Sequence, residues 1–165
     1  MNKISTTSEI NNMDKIVKSA EIKVGFSINA TINRVWDALT LNLDKWWTSE
    51  FFANPDSTKM VFEPYPGGRL FESGDNNNGI LWYTVIRIDD YKKLDMTGYL
   101  FPEFGGPSVS YLSIELHAEE NTTLVKVTDV HTGAYGEKTP DYLREGWEMI
   151  FGQSFKNYVE KTSGN

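Results

Sequence analysis

Apolar and polar residues alternate between positions 20 and 28, with Ile22, Val24, Phe26 and Ile28 on one side. A period of two is that of a strand with one buried face. The period then lengthens. Thr31 stands where a helix cap is expected, and Ile32, Val35, Trp36 and Leu39 follow at helical spacing. A second short helical piece is expected from Leu43 through Trp46-Trp47, with one indole inward and the other at a rim or over a cavity mouth.

Strand-like segments then follow one another, separated by turn residues. They run over 59–62, 69–73, 80–88, 94–100, 109–118 and 124–130. Pro64 to Gly68 and the run Gly74-Asp75-Asn76-Asn77-Asn78-Gly79 carry turn chemistry. Leu112, Ile114 and Leu116 share the inward face of their strand. The last quarter is one long helix. Thr139-Pro140-Asp141 supplies a hydroxyl cap, a proline in the first turn and an acid at the positive dipole end. Leu143, Trp147, Ile150, Phe151, Ser154 and Tyr158 form its apolar stripe, which ends near Glu160. Gly146 lies beside this stripe, and glycine inside a helix costs about 1 kcal/mol relative to alanine. A close approach by another backbone or a ligand would account for it, and a tolerated surface position is the alternative.

One strand, two short helices, about six antiparallel strands and a terminal helix define an α+β fold. The expected organisation is a tail over 1–19, with a helical turn near Ile16 and Val17. A single domain then spans 20–161, and a frayed end follows at 162–165. A sheet curled around the last helix leaves a space that is either packed or open.

Composition narrows the function. The net charge of −7 argues against nucleic acid and against anionic membranes. The chain has no cysteine, hence no disulfide and no catalytic thiol, and its only imidazoles are His117 and His131. No metal site and no cofactor are expected. Nothing resembles a membrane span or a signal peptide, so a cytoplasmic location is expected. The aromatic content of 13% suits either a large core or a lined cavity.

Pro66-Gly67-Gly68-Arg69 has the look of a phosphate loop, but a strand follows it rather than a helix, so a hairpin turn with positive φ is expected. Asp129 and His131 alternate with Val125 and Val127. If that face points inward, a carboxylate and an imidazole meet the interior and become catalytic candidates. A satisfied polar pair is the plainer reading. Glu63 and Glu72 flank the hairpin and are expected to be solvated surface acids.

Several motifs in order resemble a known family: Val35-Trp36-Asp37-Ala38-Leu39-Thr40, Trp46-Trp47, Pro66-Gly67-Gly68-Arg69 and Leu81-Trp82-Tyr83-Thr84-Val85. Lys93-Leu94, His131-Thr132-Gly133 and Glu145-Gly146-Trp147 complete the set. Together they resemble the SRPBCC superfamily of START-like, helix-grip domains. The branch is similar to the C-terminal domain of the activator of the heat-shock protein 90 ATPase. Three positions depart from the branch pattern: Tyr83 where glycine is usual, Asp90-Tyr91 where a proline pair is usual, and Gly98 where tryptophan often stands. The volumes of Tyr83 and Gly98 are expected to compensate each other.

The resemblance implies a curved antiparallel sheet gripping the last helix, and a cavity that holds apolar molecules in many relatives. The expected activity is binding of a small hydrophobic or aromatic molecule, as carrier or sensor rather than enzyme. The candidate wall is Trp36, Trp47, Phe71, Trp82, Met96, Leu112, Ile114, His131, Trp147, Ile150 and Phe151. A cyclase- or dehydratase-type enzyme using Asp129 and His131 is the alternative. Stimulation of a chaperone ATPase ranks last, since those activators carry a large N-terminal domain and only about 20 residues precede the first strand here.

Overall fold

The computed structural model describes residues 16–161. The expectations for residues 1–15 and 162–165 lie outside the described residues. Seven strands form one antiparallel sheet in the order β1-β7-β6-β5-β4-β3-β2. They are β1 (Lys18–Ile28), β2 (Ser57–Phe62), β3 (Arg69–Gly74), β4 (Gly79–Asp89), β5 (Lys93–Leu100), β6 (Ser108–Ala118) and β7 (Thr123–Gly133). Each expected strand is present and most are a residue or two longer. Lys18 and Ser19 belong to β1, and Ile16 and Val17 are exposed and not helical.

Two helices follow β1: α1 (Ile32–Thr40) and α2 (Leu43–Trp46). Thr31 occupies the cap position of α1, but its side chain makes no capping hydrogen bond. The last helix starts as α3 (Thr139–Trp147), passes through a π-helical stretch (Glu148–Phe155) and ends as α4 (Lys156–Lys161). Thr139 does not cap it. Lys138 takes the cap position, and the buried Thr139 hydroxyl donates to the Gly105 carbonyl at 3.0 Å, tying the helix start to the β5–β6 loop.

The π-helical stretch explains which residues the helix buries. Trp147, Phe151, Phe155 and Val159 are buried, each four positions after the last. Four residues turn about 400° in an α-helix, so such a row drifts by about 40° per step. A π-helix bonds i to i+5 and winds less per residue, which keeps the row facing the sheet. The expected stripe drawn at α-spacing therefore named Ser154 and Tyr158 where Phe155 and Val159 are the buried residues. Ser154 instead donates to the Trp46 carbonyl.

Gly146 is a surface glycine: a Cβ there would meet nothing within 4 Å. The close approach belongs to Gly152, where an added Cβ would lie 2.5 Å from the Phe26 ring. The helix crosses β1 at that point.

A bulge shapes the sheet where it meets the helix. Leu70 pairs with Tyr83 and Phe71 with Leu81, which leaves Trp82 as the extra residue in β4. Gly98 lies directly opposite Tyr83. A Cβ on Gly98 would sit 2.0 Å from the Trp82 carbonyl oxygen and 2.7 Å from the Tyr83 ring. Tyr83 thus fills the space that Gly98 leaves, as its volume suggested. Gly67 has φ +86° in the β2–β3 turn, so the Pro66 to Arg69 motif is a hairpin turn.

Candidate functional site

Two buried polar clusters and one apolar void lie between the sheet and the helices. Along β7, Val125, Val127, Asp129 and His131 alternate with more exposed residues and all four are buried. The register sets Ser110 opposite His131 and Ser108 opposite Gly133 on β6. His131 is therefore held at both nitrogens: Nδ1 lies 2.7 Å from the Ser108 hydroxyl and Nε2 2.9 Å from Asp129 Oδ2. Asp129 also accepts from the Trp147 indole N–H at 2.8 Å and from the Ser110 hydroxyl on its other oxygen. Tyr83 completes the cluster, 3.4 Å from Ser110. Burial raises the Tyr83 phenol well above its usual value of 10, and the Asp129 charge adds to the rise.

The second cluster surrounds Glu72. It is fully buried, which corrects the expectation of a solvated acid. Its carboxylate accepts from the Ala53 N–H at 2.8 Å, the Asn54 N–H at 3.0 Å, the Ser57 hydroxyl at 2.8 Å and the Trp82 indole at 2.9 Å. A buried carboxylate needs such donors, since an unpaired charge away from water is costly. Glu72 so fastens the loop between α2 and β2 onto β3 and β4. Glu63 remains near the surface and makes a bidentate pair with Arg69, which holds its pKa below the ordinary value.

The void lies between the other layers and has a volume of about 10 Å³. Leu39, Leu43, Trp46 and Trp47 wall it from the helical side. Phe62, Leu70, Leu94, Met96, Leu112 and Ile114 wall it from the sheet, and Trp147 and Phe151 from the last helix. Of the candidate wall residues, Trp47, Met96, Leu112, Ile114, Trp147 and Phe151 meet here. The others do not. Trp36 is buried and packs against Tyr91, with ring centroids 5.8 Å apart. Phe71 alternates with the buried Leu70 and Glu72 and lies under the Arg69 guanidinium instead. Trp82 is turned to Glu72 and to Phe101 and Phe104. Ile150 packs at the edge of the core, and His131 belongs to the Asp129 cluster. Leu39, Leu43, Trp46, Phe62, Leu70 and Leu94 were missed. The helical spacing of Leu39 and Leu43 was a usable signal.

Both Trp46 and Trp47 are buried, at 1% and 8% exposure, against the expectation of a single inward ring. Helix α2 stops at Trp46, and Trp47 takes an extended conformation (φ −83°, ψ 93°) that turns its ring back to the core. Trp46 donates to the Ala38 carbonyl at 2.8 Å and packs against Phe155, with ring centroids 4.7 Å apart and the planes tilted by 58°. The Trp47 indole nitrogen is buried with no acceptor within reach among the described residues. Such a donor costs about 1–3 kcal/mol.

No group of three potential metal ligands occurs among the described residues. No described helix is long and apolar enough to cross a membrane.

A curved antiparallel sheet closed over a long C-terminal helix, with two short helices after the first strand, is the helix-grip architecture. Residues 29–160 match the family described as Activator of Hsp90 ATPase homolog 1-like protein, and the chain belongs to that family. Solved structures with the same fold include protein MLL2253 from Mesorhizobium loti, 19% identical over 87% of this chain and 98% of that one, with a TM-score of 0.64. The Aha1 dimer of Colwellia psychrerythraea is 22% identical over 88% and 99% of the two chains, with a TM-score of 0.62. DynU16, from the dynemicin biosynthetic locus, is 18% identical over 86% of this chain and 48% of its own, with a TM-score of 0.58. No curated protein sequence matches this chain.

Proposed function

We propose that the protein binds a small apolar molecule between the sheet and the C-terminal helix, as a carrier or sensor. The observation that carries this reading is the residual void. It lies where sheet, short helices and last helix converge, and every side chain around it is apolar or an indole. Ligand sites are mostly apolar with a few placed polar groups. A volume of about 10 Å³ is room for roughly one water, so a ligand needs the wall to move. Two features favour such movement. Met96 is an unbranched side chain that repacks readily. Residues 43–52 form one wall as a four-residue helix and a single 3-10 turn (Ser49–Phe51). The presence of DynU16 in a biosynthetic locus is in keeping with small-molecule chemistry on this fold.

Acid–base catalysis by Asp129 and His131 is the weaker reading. The pair is joined at 2.9 Å, but both imidazole nitrogens are engaged and neither residue lines the void. The cluster reads as a polar brace that fixes Trp147 against β7.

Native mass spectrometry of freshly purified protein, with organic extraction of the same sample, tests the binding reading. A stoichiometric adduct that leaves on denaturation supports it and gives the ligand class. A clean protein mass, together with no thermal shift across a panel of neutral apolar compounds, overturns it.

A further inference from the structure

Residues 47–56 run from the end of α2 to β2, which is an edge strand of the sheet. The near end of this segment is fixed. The Trp46 indole donates to the Ala38 carbonyl at 2.8 Å, and the Trp46 carbonyl accepts from Ser154. The far end enters the β2–β3 ladder, where Ser57 pairs with Gly74. Between these ends the segment is lightly held. Trp47 lines the void, and Phe51 meets its ring edge-on, with centroids 6.5 Å apart. Phe51 and Phe52 are half-buried, and Thr48, Ser49 and Glu50 are exposed. The 3-10 turn bonds within itself, Phe51 N–H to the Thr48 carbonyl and Phe52 N–H to the Ser49 carbonyl. Among the described residues, the hydrogen bonds from 48–55 to the sheet are those of the Ala53 and Asn54 N–H groups, and both end on the Glu72 carboxylate. Glu72 and Leu70 are successive inward residues of β3, and Leu70 lies on the wall of the void. The group that holds the segment down therefore adjoins the space that the segment closes.

We propose that residues 47–56 are the door of the cavity and that Glu72 is its latch: a ligand enters at the β2–β3 edge when Ala53 and Asn54 leave the carboxylate and Trp47 swings out with them. The inference rests on the reading that this interface takes a ligand. Trp46 stays in place, and the hinge lies at Trp47, whose extended backbone already departs from the helix. Segments that open locally are those with few buried contacts and few bonds to the rest of the molecule. The closed state also carries a cost that the open state relieves. The Trp47 indole N–H is buried with no acceptor among the described residues, and a lifted Trp47 gives it to water. Weakening the latch makes entry and exit faster alike, so it alters rates and leaves affinity unchanged.

Two measurements test this. Native-state hydrogen exchange on the wild type should give the Ala53 and Asn54 amides and the Trp47 indole N–H one shared opening equilibrium. That opening should be at least about tenfold more populated than the one that exposes the Trp46 and Trp147 indoles, a gap of about 1.4 kcal/mol. Ethylbenzene then serves as the probe of entry, with its association and dissociation rates taken from NMR exchange at the Met96 methyl on the cavity wall. Two variants weaken the latch from opposite sides. Glu72→Gln removes its charge, and Ala53→Pro removes one N–H, at a position where the extended Phe52 before it suits a proline. Both rates should rise about tenfold in each variant, with Kd within about twofold of the wild type. If ethylbenzene binds but neither rate moves, the door is overturned and the binding reading stands. Exposure of Trp47 only together with Trp46 and Trp147 overturns the door as well. If ethylbenzene does not bind the wild type, the binding reading fails and the inference falls with it. Should Glu72→Gln not fold, Ala53→Pro and the wild-type exchange decide.

Discussion

Replacing Glu72 by glutamine keeps the shape and removes the charge. Four donors converge on this carboxylate, two on each oxygen. The glutamine carbonyl can keep one pair, and its amide group then faces the other. If that pair is Asn54 N–H and the Ser57 hydroxyl, the hydroxyl can rotate and accept, but the backbone N–H meets another donor. Bonds to a charged group are worth about 1.5–3 kcal/mol each, neutral ones about 0.5–1.5. One bond is lost and others weaken, while the relief of a desolvated charge opposes both. The net expectation is a loss of about 2–4 kcal/mol. Urea denaturation gives the stability, and hydrogen exchange gives the local effect at the Ala53 and Asn54 amides. Both amides should lose protection even under conditions where the sheet keeps its own. A change below about 0.5 kcal/mol with protection intact would show that the loop is held by its other contacts.

The two glycines of the last helix should part company: Gly146→Ala should stabilise by about 0.5–1 kcal/mol, whereas Gly152→Ala should destabilise because its Cβ meets Phe26. Chemical denaturation of both variants checks this. Phe155→Ala should cost about 3–5 kcal/mol, since the side chain is fully buried between Trp46 and Phe151; a loss under 1 kcal/mol would contradict the packing. Tyr83 has a folded pKa raised above its unfolded value, so its contribution is intact below about pH 10 and is lost as pH rises further. Urea titrations between pH 9 and 11 should show stability falling with pH, with a shallower fall in Tyr83→Phe.

The order of strands and helices was legible because one-sided burial imposes period two on a strand, as in Ile22, Val24, Phe26 and Ile28. The same rule put Asp129 and His131 on one face with Val125 and Val127, and it was the structure that turned that face inward. What failed depends on backbone detail that side-chain periodicity does not carry. The π-helical winding moved the buried row to Phe155 and Val159. The abrupt end of α2 brought Trp47 inward beside Trp46. The bulge at Trp82 turned that ring toward Glu72, and the other three donors that make a buried carboxylate tolerable there, Ala53, Asn54 and Ser57, lie fifteen or more residues away in sequence. Phe71 falls outside the wall because its neighbours Leu70 and Glu72 hold the inward positions.

The fit between Tyr83 and Gly98 also constrains how this sheet can change over evolutionary time. A side chain cannot be added at 98 first, because it would run into both the tyrosine ring and the backbone carbonyl of Trp82. Shrinking position 83 removes only the first obstacle. The carbonyl stays where the bulge puts it, so a bulky residue at 98 also requires the bulge to relax. Filling position 98 therefore takes at least two coupled changes, a smaller residue at 83 and a relaxed bulge at Trp82, and no single substitution accomplishes it.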